Sequence, residues 1–323
     1  MIKNFLKNNP VHKKIVPYLD CFFLIMPTSF FVAWPLLCIG MYIPMFQDDR
    51  ILLFINNISL NTIIMFVGYS LMISGYSMIY KTQILNDPNI SGYEQYNELK
   101  ISYVFSALSI IIFLYLSVKL FFISIIIFFI SNFLFYCKKH KQQWYPILWS
   151  ITVFILCSLF ISVGSIYYLS FSKQSIDLFS YNFIILYTPY VLSFFAILIM
   201  HDIIHSESNQ NNITFSNYIG IKLSSFISML LVLFSLFVAL KIEDPLSSTS
   251  IVVFLAFFLY AFFRSKNKDF IRAVRYPIGI QNFFIMTIFP YLFVPSFILF
   301  YLSKYYYWHR LDVHYPTFLV END

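Results

Sequence analysis

The feature that most constrains this chain is a succession of unbroken apolar stretches, many near the length of a membrane span, between residues 19 and 302. About 20 apolar residues in a helix match the hydrocarbon core of a bilayer. Inside lipid every backbone N–H and C=O must find its partner within the protein, so only helices and closed barrels can cross. A barrel strand alternates polar and apolar residues over segments of about ten, and the stretches here do not alternate. Charged residues make up 11% of the chain, against roughly 25% in a soluble domain. The expected fold class is therefore all-α, a polytopic membrane helix bundle forming a single domain over 1–323.

Hydropathy places about nine spans near 19–46, 59–85, 101–118, 120–136, 147–170, 178–200, 218–240, 249–263 and 278–302. The first contains Pro27 and Pro35 and is expected to kink. Only Lys119 separates the third from the fourth, and the eighth is short. Basic residues set the orientation. Lys138, Lys139 and Lys141 follow the fourth span, and Arg264, Lys266, Lys268, Arg272 and Arg275 follow the eighth, on the side of the basic N-terminus. By the positive-inside rule that side is cytoplasmic, in what is expected to be the cytoplasmic membrane. The net charge of +6 then reflects topology, with no nucleic-acid signature. Cys21, Cys38, Cys137 and Cys157 fit neither a zinc spacing nor a disulfide framework and read as small packing residues.

Carboxylates are scarce, and two clusters of them fall at matching places in the two halves. The first acidic loop (86–100) opens Asn86-Asp87-Pro88-Asn89-Ile90-Ser91-Gly92-Tyr93-Glu94. The second (201–217) opens His201-Asp202-Ile203-Ile204-His205-Ser206-Glu207-Ser208-Asn209. Both face the cytoplasm in this topology. Taken alone, Asn86-Asp87-Pro88-Asn89 is also good turn chemistry, and Asp202 can be a solvated interfacial charge. Lys100, Arg272 and Arg275 have the chemistry to meet phosphate oxygens, although topology also calls for basic residues there. The run Tyr305-Tyr306-Tyr307-Trp308 reads most simply as an interfacial aromatic belt.

These two clusters resemble the aspartate-rich loops of the UbiA superfamily of intramembrane prenyltransferases, which follow the second and sixth of nine helices. The family's first motif resembles N-D-x-x-D-x-x-x-D. Asn86 and Asp87 match its opening pair, Ile90 replaces the second aspartate and Glu94 the third. A second register sets Gln83 in the asparagine position and Ser91 in an aspartate position, and Asp87 stays acidic in both. The second motif resembles D-x-x-D-x-E-G-D followed by T-x-x-x-x-x-G. Asp202 and Glu207 match, His205 and Asn209 replace aspartates, Ser208 replaces the glycine, and Thr214 and Gly220 fall at the expected separation. The stretch from Leu24 to Trp34 looks like the family's first helix, with Met26 where an arginine is common. The tail from Tyr305 to Pro316 is similar to one branch's C-terminus.

The resemblance implies a UbiA-like bundle that moves a prenyl chain from a prenyl diphosphate donor to a lipid-soluble acceptor, aromatic or otherwise, among membrane lipids. Mg²⁺ would be held by Asp87, Glu94, Asp202, Glu207 and Asn209, with Asp87 and Asp202 as the catalytic pair. Asn86, Lys100, Arg272 and Arg275 would contact the diphosphate. Mg²⁺ takes oxygen ligands and bridges carboxylates to phosphate oxygens, and it would stabilise charge on the departing diphosphate. The replaced acidic positions keep open a non-catalytic protein of the same fold that binds isoprenoid or quinone lipids. A transporter is the third reading.

Overall fold

The apolar stretches form helices, and the described residues contain no strand. The computed structural model describes residues 10–47, 59–80, 98–139, 145–172, 180–208 and 215–311. In chain order the helices are α1 (Pro10–Phe23), α2 (Phe30–Gln47), α3 (Leu60–Tyr80), α4 (Glu98–Leu116), α5 (Val118–Lys139), α6 (Tyr145–Ser172) and α7 (Tyr181–Ser208). A short α8 (Phe215–Ile219) precedes α9 (Ile221–Lys241), α10 (Pro245–Arg264), α11 (Asn267–Ile288) and α12 (Phe293–Leu311). Sequential helices from α3 to α7 pack on one another, α7 packs on α9, and α9 to α11 continue the series. The α3–α4, α5–α6, α7–α8 and α10–α11 connections share one end of the bundle, called here the near end. The α2–α3, α4–α5, α6–α7 and α9–α10 connections share the far end.

Six of these helices are long and apolar enough to cross a membrane: α2, α3, α6, α7, α9 and α10. Two more, α4 and α5, carry the shorter apolar runs Lys100–Leu116 and Val118–Leu134. Phe122, Phe129, Phe133 and Tyr136 of α5 point outward, the arrangement expected of a helix facing lipid. The eighth expected span, read as 249–263, is a full 20-residue helix, because its serine-rich first turn is helical although it is not apolar.

Two expected spans are corrected. The first, 19–46, is broken: α1 ends at Phe23, Met26 adopts a left-handed conformation (φ 49°), and a 3₁₀ turn at Pro27–Ser29 leads into α2. The ninth, 278–302, is two helices. A 3₁₀ turn at Pro290–Leu292 separates α11 from α12, and Phe289 and Leu292 are buried within the protein. An apolar buried turn leaves no dip in hydropathy. Arg272 and Arg275, read as loop residues, consequently lie within α11.

Helix α2 is enclosed by α3, α6, α7 and α11, and every residue from Pro35 to Met45 is buried. It holds two internal prolines, Pro35 and Pro44. Each lacks the N–H that would bond the carbonyl four residues earlier, which frees Phe31 O and Gly40 O. Neighbouring helices supply the missing donors. Asn282 Nδ2 of α11 donates to Phe31 O at 2.7 Å, and Ser165 Oγ of α6 donates to Gly40 O. An orphaned buried carbonyl costs about 1–3 kcal/mol. Asn282→Leu is expected to lower bundle stability by about that much, read as a shift in the denaturant midpoint in detergent. A midpoint unchanged from the native protein would refute the assignment.

The aromatic run near the C-terminus packs on α1. Tyr306 stacks on Phe23, with centroids 3.9 Å apart and planes 7° apart. Its hydroxyl donates to Asp20 at 2.8 Å, and Arg310 Nε lies 3.4 Å from the same carboxylate. Leu19, Phe23 and Tyr306 form a core separate from that of the main bundle.

At the far end Asp244 caps α10, just before Pro245 at the first helical position. Its Oδ1 accepts from Leu246 N (3.0 Å) and from the Tyr42 hydroxyl (2.7 Å). Its Oδ2 accepts from the Tyr190 hydroxyl (2.6 Å). One buried carboxylate thus joins α2, α7 and α10. The cysteines Cys38, Cys137 and Cys157 are buried and Cys21 is exposed, all four unbridged.

Candidate functional site at the near end

The second acidic cluster lies on helix rather than loop. Helix α7 continues through His201 and Asp202 to Ser208, because its polar last turns remain helical after the apolar face ends. Asp202 is buried. Its Oδ2 accepts from the backbone N–H of Ser216 at 2.9 Å and from the Ser216 hydroxyl at 2.8 Å. Ser216 is the second residue of α8, whose first N–H groups lack partners within so short a helix. Asp202 therefore does the work of a capping side chain from 14 residues upstream. Phe215 anchors the start of α8 by stacking on Trp149 of α6. Gly220 turns the chain from α8 into α9 at φ 91°, a conformation that strains any residue with a Cβ.

Of the other residues singled out from the sequence, Lys100 is exposed in the first turn of α4 at the same end. Arg272 and Arg275 lie in the first half of α11, which packs on α7. Because the two helices are antiparallel, the start of α11 lies beside the end of α7. Asp202, Lys100, Arg272 and Arg275 thus share one end of the bundle, with the two arginines on a helix packed against that of Asp202. Glu207 occupies the last turn of α7. Asn86, Asp87, Glu94, Asn209 and Thr214 lie outside the described residues.

Two near-end features escaped the sequence reading. Ser216 carries no motif, and only the fold brings it to Asp202. Asp269 is 1% exposed, with Oδ2 3.3 Å from Arg264 Nε and Oδ1 3.1 Å from Arg272 Nη1. The Asp269/Arg272 spacing of three within a helix was a legible signal. Among the described residues no three His, Cys, Asp or Glu side chains converge on a point where a metal ion would sit. For a Mg²⁺ site the donor chemistry fits, since carboxylate and amide oxygens are what this ion takes. Of that donor set, Asp202 and Glu207 lie among the described residues, both on α7, and Ser216 holds the Asp202 carboxylate in place.

Neither family models nor curated proteins match this sequence. The architecture does have a match. The chain is similar to a solved structure of digeranylgeranylglyceryl phosphate synthase in membranes, with a TM-score of 0.54 and 13% identity over 82% of this chain and 94% of that one. The protein is an integral, multi-pass membrane protein with the all-α, UbiA-like bundle fold.

Proposed function

We propose that the protein is a membrane prenyltransferase that moves a prenyl chain from its diphosphate to a lipid-soluble acceptor and releases diphosphate. The observation that carries this reading is Asp202. It is a buried carboxylate pinned by Ser216 at the near end of a fold shared with a synthase, with Arg272 and Arg275 on the neighbouring helix. In the topology inferred from basic residues, this end faces the cytoplasm. A greasy tail suits the apolar interior, and a multiply charged head suits a rim carrying cations.

Mg²⁺, held by Asp202 and Asp87 with Glu207, Glu94 and Asn209, would supply charge stabilisation to the departing diphosphate. The chain's own contribution is to fix the parts. Ser216 fixes the orientation of the Asp202 carboxylate, and the arginines of α11 offer planar donors to phosphate oxygens. Asn86 and Lys100 would complete the contacts to the head.

The test is diphosphate release by the purified protein in lipid, with a panel of prenyl diphosphates and acceptor lipids, with and without Mg²⁺. Asp87→Ala and Asp202→Ala are each expected to remove Mg²⁺-dependent release by a factor of about 100 or more. Release that survives both substitutions sinks the reading. One observation favours a second reading, a non-catalytic protein that binds isoprenoid or quinone lipids: Asp202 Oδ2 already accepts two hydrogen bonds from Ser216, as a purely structural cap would. Tight binding of a labelled prenyl diphosphate or quinone with no turnover would select it.

A further inference from the structure

The near end carries a second arrangement that shares Arg272 with the prenyl-transfer reading and adds to it Asp269 and Arg264. Asp269, in the first turn of α11, is almost fully buried between two arginines from two helices. Arg272 Nη1 donates to its Oδ1 at 3.1 Å. Arg264, the last residue of α10, brings Nε within 3.3 Å of its Oδ2, and its guanidinium sits over the Tyr260 ring, 4.8 Å from the centroid. The two arginine side chains are themselves 43% and 31% exposed, for Arg264 and Arg272 respectively. The carboxylate is therefore inside and the guanidiniums face out.

Two guanidiniums held side by side repel each other, and a buried carboxylate between them offsets that repulsion. Each arginine offers Asp269 a single nitrogen, although a guanidinium carries five N–H donors in a flat fork. Arg272 makes no other hydrogen bond among the described residues. Asp269 Oδ2 accepts no well-aligned hydrogen bond despite its closeness to Arg264. That arginine is held by charge, by the Tyr260 ring face and by Nη1 donating to the Tyr260 hydroxyl, which leaves Nη2 as the arm of its fork without a partner among the described residues. Paired, pre-oriented forks match the oxygens of phosphate groups in a bidentate way. An ion pair serving only to join α10 to α11 needs one arginine.

We propose that Asp269 is a positioning residue that holds Arg264 and Arg272 as a two-guanidinium cradle for the diphosphate head of the prenyl donor. The assignment of the head to a donor rests on the prenyl-transfer reading. The headgroup of an anionic phospholipid presents the same phosphate chemistry, and the experiment separates the two sources.

The full-length protein in discs of neutral phosphatidylcholine is titrated with inorganic diphosphate and with farnesyl diphosphate, Mg²⁺ present. Asp269→Asn, Arg264→Gln and Arg272→Gln are each expected to raise both dissociation constants by about tenfold, the loss of one charge-assisted hydrogen bond. Asp269→Glu should recover part of the loss. In turnover the KM for the donor rises while kcat stays nearly constant, a split that simple unfolding does not produce. The two arginine substitutions, at partly exposed positions, keep the test valid if Asp269→Asn does not fold. Unchanged dissociation constants in the arginine variants, or no binding of diphosphate by the native protein, overturn the cradle. Loss of diphosphate affinity when phosphatidylglycerol replaces phosphatidylcholine, reversed by Arg272→Gln, reassigns the cradle to lipid headgroups and overturns the donor assignment. Binding that depends on Asp269 without turnover on any acceptor sinks the enzyme reading and leaves the cradle. Turnover with unchanged KM in all three variants does the reverse.

Discussion

Alanine at Gly164 is expected to cost about 3 kcal/mol or more, at or above the upper end of ordinary overpacking. Here α6 crosses α2 with the two backbones in contact. A Cβ at Gly164 would lie 2.1 Å from Leu37 O, and one at Gly40 would lie 2.0 Å from Ile161 O. Close approach through small residues is a standard way for helices to pack within a bilayer. The obstructing atoms are backbone, so no rotamer change relieves the clash and the helices must separate. Separation would also break the bond from Ser165 to Gly40 O. Gly68 supplies the internal control. Its added Cβ would meet the side chains of Ile112 and Phe113, at 2.7 and 3.0 Å, which can yield. The denaturant midpoint in detergent should therefore fall much further for Gly164→Ala and Gly40→Ala than for Gly68→Ala. Equal shifts for all three would mean that the crossing is not as tight as described.

Asp244→Ala is expected to cost about 3–5 kcal/mol, the loss typical of breaking a buried charged network by removing one partner. Three donors lose their acceptor together: the N–H of Leu246 and the hydroxyls of Tyr42 and Tyr190. A lost helix cap accounts for about 1 kcal/mol, and each stranded hydroxyl for about 1–3 kcal/mol. Removing the stranded donors should recover stability, so the triple variant Tyr42→Phe, Tyr190→Phe, Asp244→Ala is expected to be more stable than Asp244→Ala alone. Additive losses across that cycle would show that the three side chains do not act as a unit.

Most helices were legible in the sequence because lipid imposes one requirement along their whole length, and hydropathy reads that requirement directly. The misplacements share a cause. The break at Met26–Ser29 and the turn at Pro290–Leu292 are each only a few residues long between apolar stretches, so a span-length hydropathy reading averages over them, and Pro27 alone signalled a bend in the first. The beginning of α11 and the end of α7 are helical but charged, and a hydropathy reading cuts them off as loop. Asp202 was identifiable by its spacing from Glu207, Thr214 and Gly220. Its engagement with Ser216 was not, since a pairing across 14 residues exists only once α7 and α9 are docked. Asp269 was passed over because it stands among five basic residues that topology alone explains.

The two prolines of α2 also impose an order on assembly. Most helices carry their own bonding with them, but α2 leaves one carbonyl to a serine at 165 and another to an asparagine at 282. A ribosome makes residues 30–47 long before either donor exists. The innermost helix of the bundle therefore waits, incompletely bonded, until nearly nine-tenths of the chain has been synthesised, and its last partner arrives with the helix that also carries Asp269. Completion of the centre and delivery of the arginine-bearing rim are one event in the life of this chain.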